Sequence, residues 1–391
     1  MGDMARLING HPFDSDDFTP TGDVPLVRIR DITAADFETY VPQHTVPQDK
    51  VLKDGDVVIG MDGDFNVIRW HRGAAALNQR VCALRDTGVS DLRFLAYALP
   101  DHLKVINDLT YSTTVKHLSS GQVTGLRITA PDRDDQGRIA DYLDRETATI
   151  DTLIEKQRQL IEGLRERGDA SWRRLYDSVL KTVRPLPLRR HVQSISDGPF
   201  GSALTSAHYA ASGVRVIRLG NIGPGVFKLD DEAFISHEYG EKLKRYAVSP
   251  GDLIMAGLGD SNVSLGRTAE VPEGLGPAIN KADCFRLRLH AGVDSRYMVV
   301  ALNAPQTREL VLQLAQGSTR QRMNTSVAAR LPVAVPDPRC QAQVVEQWES
   351  ETAKIDALIA KAERFIELAQ ERRAALITAA VTGQIEIPTE D

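Results

Sequence analysis

The chain has 391 residues, 42% of them hydrophobic and 26% charged, and its formal net charge is −6. This length and composition fit a water-soluble protein of two or three domains, and the negative charge excludes a uniformly basic nucleic-acid binder. No run of eighteen apolar residues and no secretion signal occurs, so we expect a cytoplasmic protein without membrane contact.

Residues 1–130 form the first predicted domain, a mixed α/β unit. Short β-branched runs predict strands over 24–32 and 57–61, and a helix is predicted near 91–107. The segment carries 13 Lys and Arg against 17 Asp and Glu, so any nucleic-acid contact must use a local face.

Residues 131–184 form a predicted long helix, because no proline interrupts the chain from about 134 to 182. Apolar or neutral residues recur at steps of seven, three and four, the stripe of a helix packed along another helix. The stripe comprises Leu143, Ile150, Leu153, Gln157, Leu160 and Leu164.

Residues 185–335 form a second mixed α/β domain, with strands predicted over 214–219 and 252–255 and a helix near 296–316. It is the one basic segment of the chain, with 17 Lys and Arg against 13 Asp and Glu.

Residues 336–391 contain a second long helix of about 43 residues, about 65 Å at 1.5 Å per residue. Its stripe has the same steps as the first and comprises Trp348, Ile355, Leu358, Ala362, Phe365 and Ala369. We expect the two helices to pack on each other as a spacer that also binds partners. The alternative is two unrelated surface helices, each lying on its own domain.

An internal duplication connects these segments. Between 146–167 and 351–372, 12 of 22 positions are identical, at an offset of 205. Upstream, LRITAP at 126–131 matches LPVAVP at 331–336, Gln136 matches Gln341, and NGHPF at 9–13 resembles DGPF at 197–200. The predicted fold is therefore α/β (α+β): two pseudo-symmetric mixed domains separated by a pair of long antiparallel coiled-coil helices.

The polar side chains suited to DNA lie in loops, which differ between the copies. Arg, Lys and hydroxyl groups fix phosphates, and Arg, Asn and Gln read base edges. Candidates in the first copy are Arg69, Arg72, Asn78, Gln79, Arg80, Thr113 and Lys116. Candidates in the second copy are Lys242, Lys244, Arg245, Lys281, Ser318, Thr319, Arg320, Arg322 and Asn324.

Catalytic motifs are missing from the sequence. It contains no P-loop, GxSxG or HExxH motif and no tetrapeptide typical of amino-methyltransferases, and Gly257-Leu258-Gly259-Asp260 lacks the third glycine of a cofactor loop. Three scattered cysteines, Cys82, Cys284 and Cys340, have no metal-ligand spacing and are expected to be buried. We expect no cofactor, no metal and no catalytic residue on this chain.

The chain resembles the specificity (S) subunit of type I restriction–modification systems over nearly its whole length. The resemblance rests on the order of the segments: a globular part, a helix with the sequence LRITAPDRDDQGRIADYLDRETATIDTLIEK, a second globular part, and a C-terminal helix ending in ERRAALITAAVTGQI. The resemblance implies two target-recognition domains, each reading half of a bipartite double-stranded DNA target. It also implies helices that bind two methyltransferase (M) subunits carrying S-adenosylmethionine, and a restriction (R) subunit that joins to cleave DNA.

Two other functions stay open on the residues alone. One is a coiled-coil scaffold that never touches DNA, which the net charge favours and the basic second domain disfavours. The other is a self-contained enzyme, which the missing motifs disfavour.

Overall fold

The structure is a computed structural model that describes residues 1–109, 116–260, 263–315 and 321–388. Within these ranges, no helix is both long and apolar enough to cross a bilayer. The first copy consists of β1 (Ala5–Asn9), β2 (Val24–Val27), β3 (Tyr40–Val41), β4 (Val51–Leu52), β5 (Val57–Gly60), β6 (Val67–Arg69), β7 (Ala75–Leu77), β8 (Val81–Asp86), α1 (Leu92–Leu109), α2 (Ser120–Gly125) and α3 (Arg133–Leu180).

The second copy follows in nearly the same order. It consists of β9 (Leu186–Pro187), β10 (Val192–Ser196), β11 (Tyr209–Ala210), β12 (Val214–Ile217), β13 (Phe234–Ile235), α4 (His237–Lys242), β14 (Ala247–Val248), β15 (Leu253–Ala256), β16 (Leu258–Gly259), β17 (Thr268–Glu270), β18 (Ala278–Asn280), β19 (Cys284–Leu289), α5 (Ser295–Asn303), α6 (Pro305–Leu314), β20 (Gln321–Arg322), α7 (Thr325–Ala328), β21 (Pro332–Val333) and α8 (Pro338–Val381).

The sheets confirm the duplication. The first copy has an antiparallel sheet in the order β1-β8-β5-β6, and the second has β10-β19-β15-β17 with the same connections. Each copy also has a second sheet with one parallel pair, β2 with β7 and β12 with β18. The parallel pairs place Ala76 of β7 and Ala278 of β18 at equivalent positions of the two copies.

The helix predicted near 296–316 is wrong as a single element, because the structure has two helices there. α5 ends at Asn303 and α6 begins at Pro305. Proline cannot donate the hydrogen bond that a continuous helix needs and suits the first position of a new one. The helix predicted near 91–107 is confirmed as α1, which tolerates Pro100 in its interior.

The chain divides into two compact units. Unit 1 comprises residues 1–158 and 363–391, and unit 2 comprises residues 159–362, so each unit takes one part of α3 and one part of α8.

The two long helices are neighbours and run antiparallel. In unit 2 the rings of Trp172 and Trp348 lie 5.4 Å apart, and Ser171 hydrogen-bonds Glu351. In unit 1 Arg373 pairs with Asp151 at 2.9 Å. These contacts rule out two unrelated surface helices.

The contact face of α3 differs from the predicted stripe at two positions. Leu143, Ile150 and Leu164 are buried, but Leu153 and Leu160 are exposed, and the next residues, Ile154 and Ile161, are buried instead. The α8 stripe is likewise only partly covered, since Trp348 and Ile355 are half-buried whereas Leu358 and Phe365 are exposed.

A buried glutamine joins each long helix to its globular part. Gln136 accepts from the Asp91 backbone N–H at 3.0 Å and donates to the Pro131 carbonyl at 2.8 Å. Gln341 makes the equivalent bonds to Asp294 N–H and to the Pro336 carbonyl, both at 2.8 Å. Because both ends of the amide are satisfied inside the protein, each glutamine fixes how its helix begins.

Candidate nucleic-acid interface

A glycine in each copy brings two segments into close contact. A Cβ on Gly10 would lie 1.8 Å from the Asn78 carbonyl oxygen, and a Cβ on Gly198 would lie 2.2 Å from the Lys281 carbonyl carbon. Only glycine fits at such a distance, so the matched segments 9–13 and 197–200 occupy the same place in both units. We call these places the glycine corners.

The glycine corner of unit 1 holds a polar cluster. The Asp62 carboxylate lies 2.6 Å from His117 Nδ1 and 3.7 Å from Arg80 Nε. Gln79 and Ser120 line the same open pocket of about 510 Å³. The cluster therefore presents cationic, amide and hydroxyl groups at one surface.

The glycine corner of unit 2 holds an equivalent cluster of different composition. Arg322 pairs with Asp283 at 2.8 Å, and its guanidinium lies 6.0 Å from the centre of the Phe200 ring. Lys281 lies 5.7 Å from the Tyr209 ring. An arginine held beside a carboxylate and a ring is oriented before any ligand arrives.

Backbone hydrogen bonds establish the correspondence of the two clusters. Leu118 N–H donates to the Met61 carbonyl at 2.7 Å, and Met323 N–H donates to the Gly257 carbonyl at 3.0 Å. The residues just before them, His117 and Arg322, therefore occupy equivalent positions. The same scaffold position carries an imidazole in one unit and a guanidinium in the other.

The Asp197 carboxyl in the unit 2 corner has a raised pKa. Burial, with a smaller contribution from the neighbouring Asp283 charge, raises the pKa of this carboxyl to about 6. The Gly198 N–H, 2.7 Å from the Asp197 oxygen, partly offsets that effect.

Three predicted binding residues of the first copy make contacts within unit 1. Arg69 pairs with Asp144 of α3 at 3.4 Å. Arg72 donates to the Asp31 carbonyl and stacks 3.8 Å over the Phe37 ring. Lys116 donates to the carbonyl and side chain of Asn107. Asn78, by contrast, lies at its glycine corner, directly after β7, and is half-buried.

The remaining candidates of the second copy lie apart from the glycine corner or make other contacts within unit 2. Lys242 pairs with Glu238 on α4, and Arg245 covers the Tyr246 ring at 4.6 Å. Lys244 is exposed. The Asn324 side chain caps α7 by accepting from Val327 N–H. Thr113, Ser318, Thr319 and Arg320 lie outside the described residues.

Sequence reasoning missed the carboxylates and rings that hold the two clusters together. Asp62, His117, Asp197, Phe200 and Asp283 were not candidates. The repeat offset of 205 already connects His117 with Arg322, and that signal could have identified the histidine.

The structure explains the other motifs as packing. A Cβ on Gly257 would lie 2.4 Å from the Phe285 ring, so this glycine makes room for a core side chain. Cys82 and Cys284 are buried, and burial raises the pKa of each thiol to about 12, but Cys340 is exposed, contrary to expectation. The described residues contain no group of side chains that could hold a metal ion.

Comparisons with known proteins agree with this architecture. Residues 1–163 match the family model described as "Type I restriction modification DNA specificity domain". The chain is similar to the type I restriction enzyme EcoBI specificity subunit of Escherichia coli, 26% identical over 394 residues that cover 92% of this chain and 79% of the relative. It is also similar to the MjaVIII specificity subunit of Methanocaldococcus jannaschii, 19% identical over 354 residues that cover 86% and 80%.

A solved structure shares the fold. It comes from work on complex assembly and conformational transition of the type I R-M system, with a TM-score of 0.65, 14% identity and 98% of each chain covered.

Proposed function

We propose that this chain, a member of the type I restriction–modification specificity-subunit family, reads two separate half-sites of one DNA duplex, one with each unit. It acts in the cytoplasm as a subunit without catalytic residues of its own. Partner methyltransferase subunits carry S-adenosylmethionine and methylate adenine, and a restriction subunit joins them to cleave DNA.

One observation carries the proposal: the same glycine corner occurs twice, with different side chains. A single scaffold position holds His117 in one unit and Arg322 in the other, and each lies beside a carboxylate. A repeated framework with changed contact groups is what reading two different half-sites requires.

The side chains at the two corners can form hydrogen bonds to the edges of DNA bases. Arg322 offers a guanidinium that can bond guanine with two hydrogen bonds, and the amide of Gln79 can bond adenine in the same way. Carboxylates such as Asp62 and Asp283 orient the cations and accept from cytosine amino groups. They also cancel part of the positive charge, so non-specific attraction to DNA is limited at the corners.

Exposed apolar side chains on the long helices support the docking of two methyltransferase subunits. Unit 1 exposes Leu153 and Phe365, with relative exposures of 42% and 40%, and unit 2 exposes Leu358 and Leu160, with 49% and 48%. At the repeat offset of 205, Leu153 corresponds to Leu358 and Leu160 to Phe365, so the two pairs are equivalent. Exposed leucine and phenylalanine at equivalent positions favour two like partners.

The long helices also suit a spacer. α3 has 48 residues and α8 has 44, so they measure about 72 Å and about 66 Å. Since one turn of DNA is about 34 Å, helices of this length can set a gap between two half-sites.

The direct test is Arg322→Ala in the complex with the methyltransferase. Loss of a two-bond contact to a base costs about 1–3 kcal/mol, so we expect roughly 5- to 150-fold weaker binding of the target duplex by fluorescence anisotropy. Arg364→Ala removes an equally exposed arginine paired with Glu367 on α8 and should leave binding unchanged. Unchanged binding by the Arg322 variant would exclude this corner from the interface.

A further inference from the structure

The end of unit 2 near β9 and β21 carries a group of exposed cations. We call it the basic end; its members are Lys181, Arg184, Arg189, Arg190 and Arg330. Backbone hydrogen bonds bring its parts together, since Arg189 N–H donates to the Ala329 carbonyl at 3.0 Å and Leu188 N–H donates to the Leu331 carbonyl at 2.8 Å.

No carboxylate in the part of the chain that the structure describes neutralises these cations. Among the described residues, none of the five forms an ion pair, whereas Arg69, Arg80 and Arg322 each lie beside an aspartate. Like charges gathered on one surface repel each other, so such a group raises the free energy of the folded protein until an anion binds it.

The equivalent segments of unit 1 show whether the fold requires cations at the position of the basic end. Gly2 N–H donates to the Thr124 carbonyl at 3.2 Å and the Met1 amino group donates to the Leu126 carbonyl at 2.7 Å, the counterparts of the two bonds in unit 2. Gly2, Asp3 and Gly125 therefore stand where unit 2 has Arg189, Arg190 and Arg330. The same scaffold forms without these cations, so they serve something other than folding.

We infer that the basic end binds DNA phosphates next to the half-site that unit 2 reads, an inference that rests on the proposed function. Arg189 and Arg190 precede β10, and the glycine corner follows it at Asp197. The seven residue steps from Arg190 to Asp197 span at most about 23 Å, the length of about seven base pairs, so one duplex can reach both places.

Arginine is also the residue suited to this ligand. Four of the five cations are arginines, whose planar guanidinium matches the oxygens of a phosphate with two hydrogen bonds. A contact of this kind adds affinity without reading sequence, so the basic end strengthens the binding of unit 2 whichever half-site it reads.

The test compares the triple variant Arg189→Gln, Arg190→Gln and Arg330→Gln with the unmodified complex. Binding to a 40-base-pair target duplex and to a scrambled duplex is measured over a range of KCl concentrations. The matched control, Lys354→Gln, Lys361→Gln and Arg372→Gln, removes the same charge from exposed positions of α8 that also lack an ion pair among the described residues.

The slope of log K against log [KCl] should become shallower by about 2–3 in the triple variant, because each lost phosphate contact contributes about 0.9. The preference for target over scrambled duplex should stay unchanged, and the control should keep the original slope. An unchanged slope would overturn the inference; an unchanged slope with loss of methyltransferase from the complex would assign the basic end to an acidic protein surface instead.

A different result is expected if the chain does not read a specific DNA sequence. In that case the unmodified complex shows no preference for its target, while the slope on the scrambled duplex still reports whether the basic end contacts phosphates.

Discussion

A buried carboxyl at the unit 2 corner makes stability depend on pH. Burial raises the pKa of Asp197 to about 6, above the value of 3.8 for the free side chain. The stability that the protonated acid contributes is therefore complete below about pH 4 and is lost as the pH rises through 6. At neutral pH the half-buried charge destabilises the folded state.

Asp197→Asn should remove this penalty, because the amide oxygen still accepts from Gly198 N–H. We expect the free energy of unfolding to rise by about 1 kcal/mol at pH 7.5, after allowance for solvent screening, and not at pH 4. Urea unfolding at both pH values measures the difference. An equal gain at both would mean that ionisation of Asp197 has no part in it.

The sequence predicted which residue types could contact DNA, but it did not predict the contacts that each side chain makes. Arg80 and Arg322 were identified and lie in the corners, but Arg72 and Arg69 hold the unit together. Their partners are 41 and 75 residues away along the chain. Residue type predicts which contacts an arginine can make, and only the fold decides which it does make.

At the scale of elements, the buried glutamines should contribute equally to the free energy of unfolding in both copies. Gln341→Leu leaves the Asp294 N–H and the Pro336 carbonyl without their partner, which costs about 1–3 kcal/mol. Gln136→Leu should cost a similar amount. Gln343→Leu, at an exposed position of the same helix, is the control. Calorimetry that finds no loss for Gln341→Leu would contradict this role.

The long helices were predicted within a few residues, but their contact face was not. Leucine and isoleucine are adjacent at 153–154 and at 160–161, so two faces fit the same periodicity. The structure buries Ile154 and Ile161 and exposes the leucines. Periodicity fixes the spacing of a contact face, while the partner helix decides between neighbouring residues.

At the scale of the whole molecule, each unit should hold one methyltransferase subunit. Leu153→Asp with Phe365→Asp places charges on the exposed apolar pair of unit 1, and Leu160→Asp with Leu358→Asp does the same in unit 2. We expect either double variant to bind one methyltransferase instead of two, as measured by native mass spectrometry. Lys361→Glu, at an exposed position of α8, should still bind two. Two bound copies in both double variants would refute docking at these side chains.

The architecture of the whole chain was predictable because it repeats. Twelve identities in one helical stretch revealed the repeat, and the two sheets and both glycine corners recur in the same order at smaller offsets, because the loops between them differ in length. The divergent loops carried no such signal: the partners of Arg322 and His117 come from segments that share little sequence.

The most direct test of two readers is the methylation pattern that the complex leaves on DNA. The chain is expressed with its methyltransferase in a host that lacks adenine methylation, and the genome is sequenced for methylated adenine. We predict a target of two specified blocks separated by a fixed number of unspecified bases, and exchange of residues 1–130 for those of another family member should change one block alone. A single contiguous target, or a change in both blocks, would contradict the account.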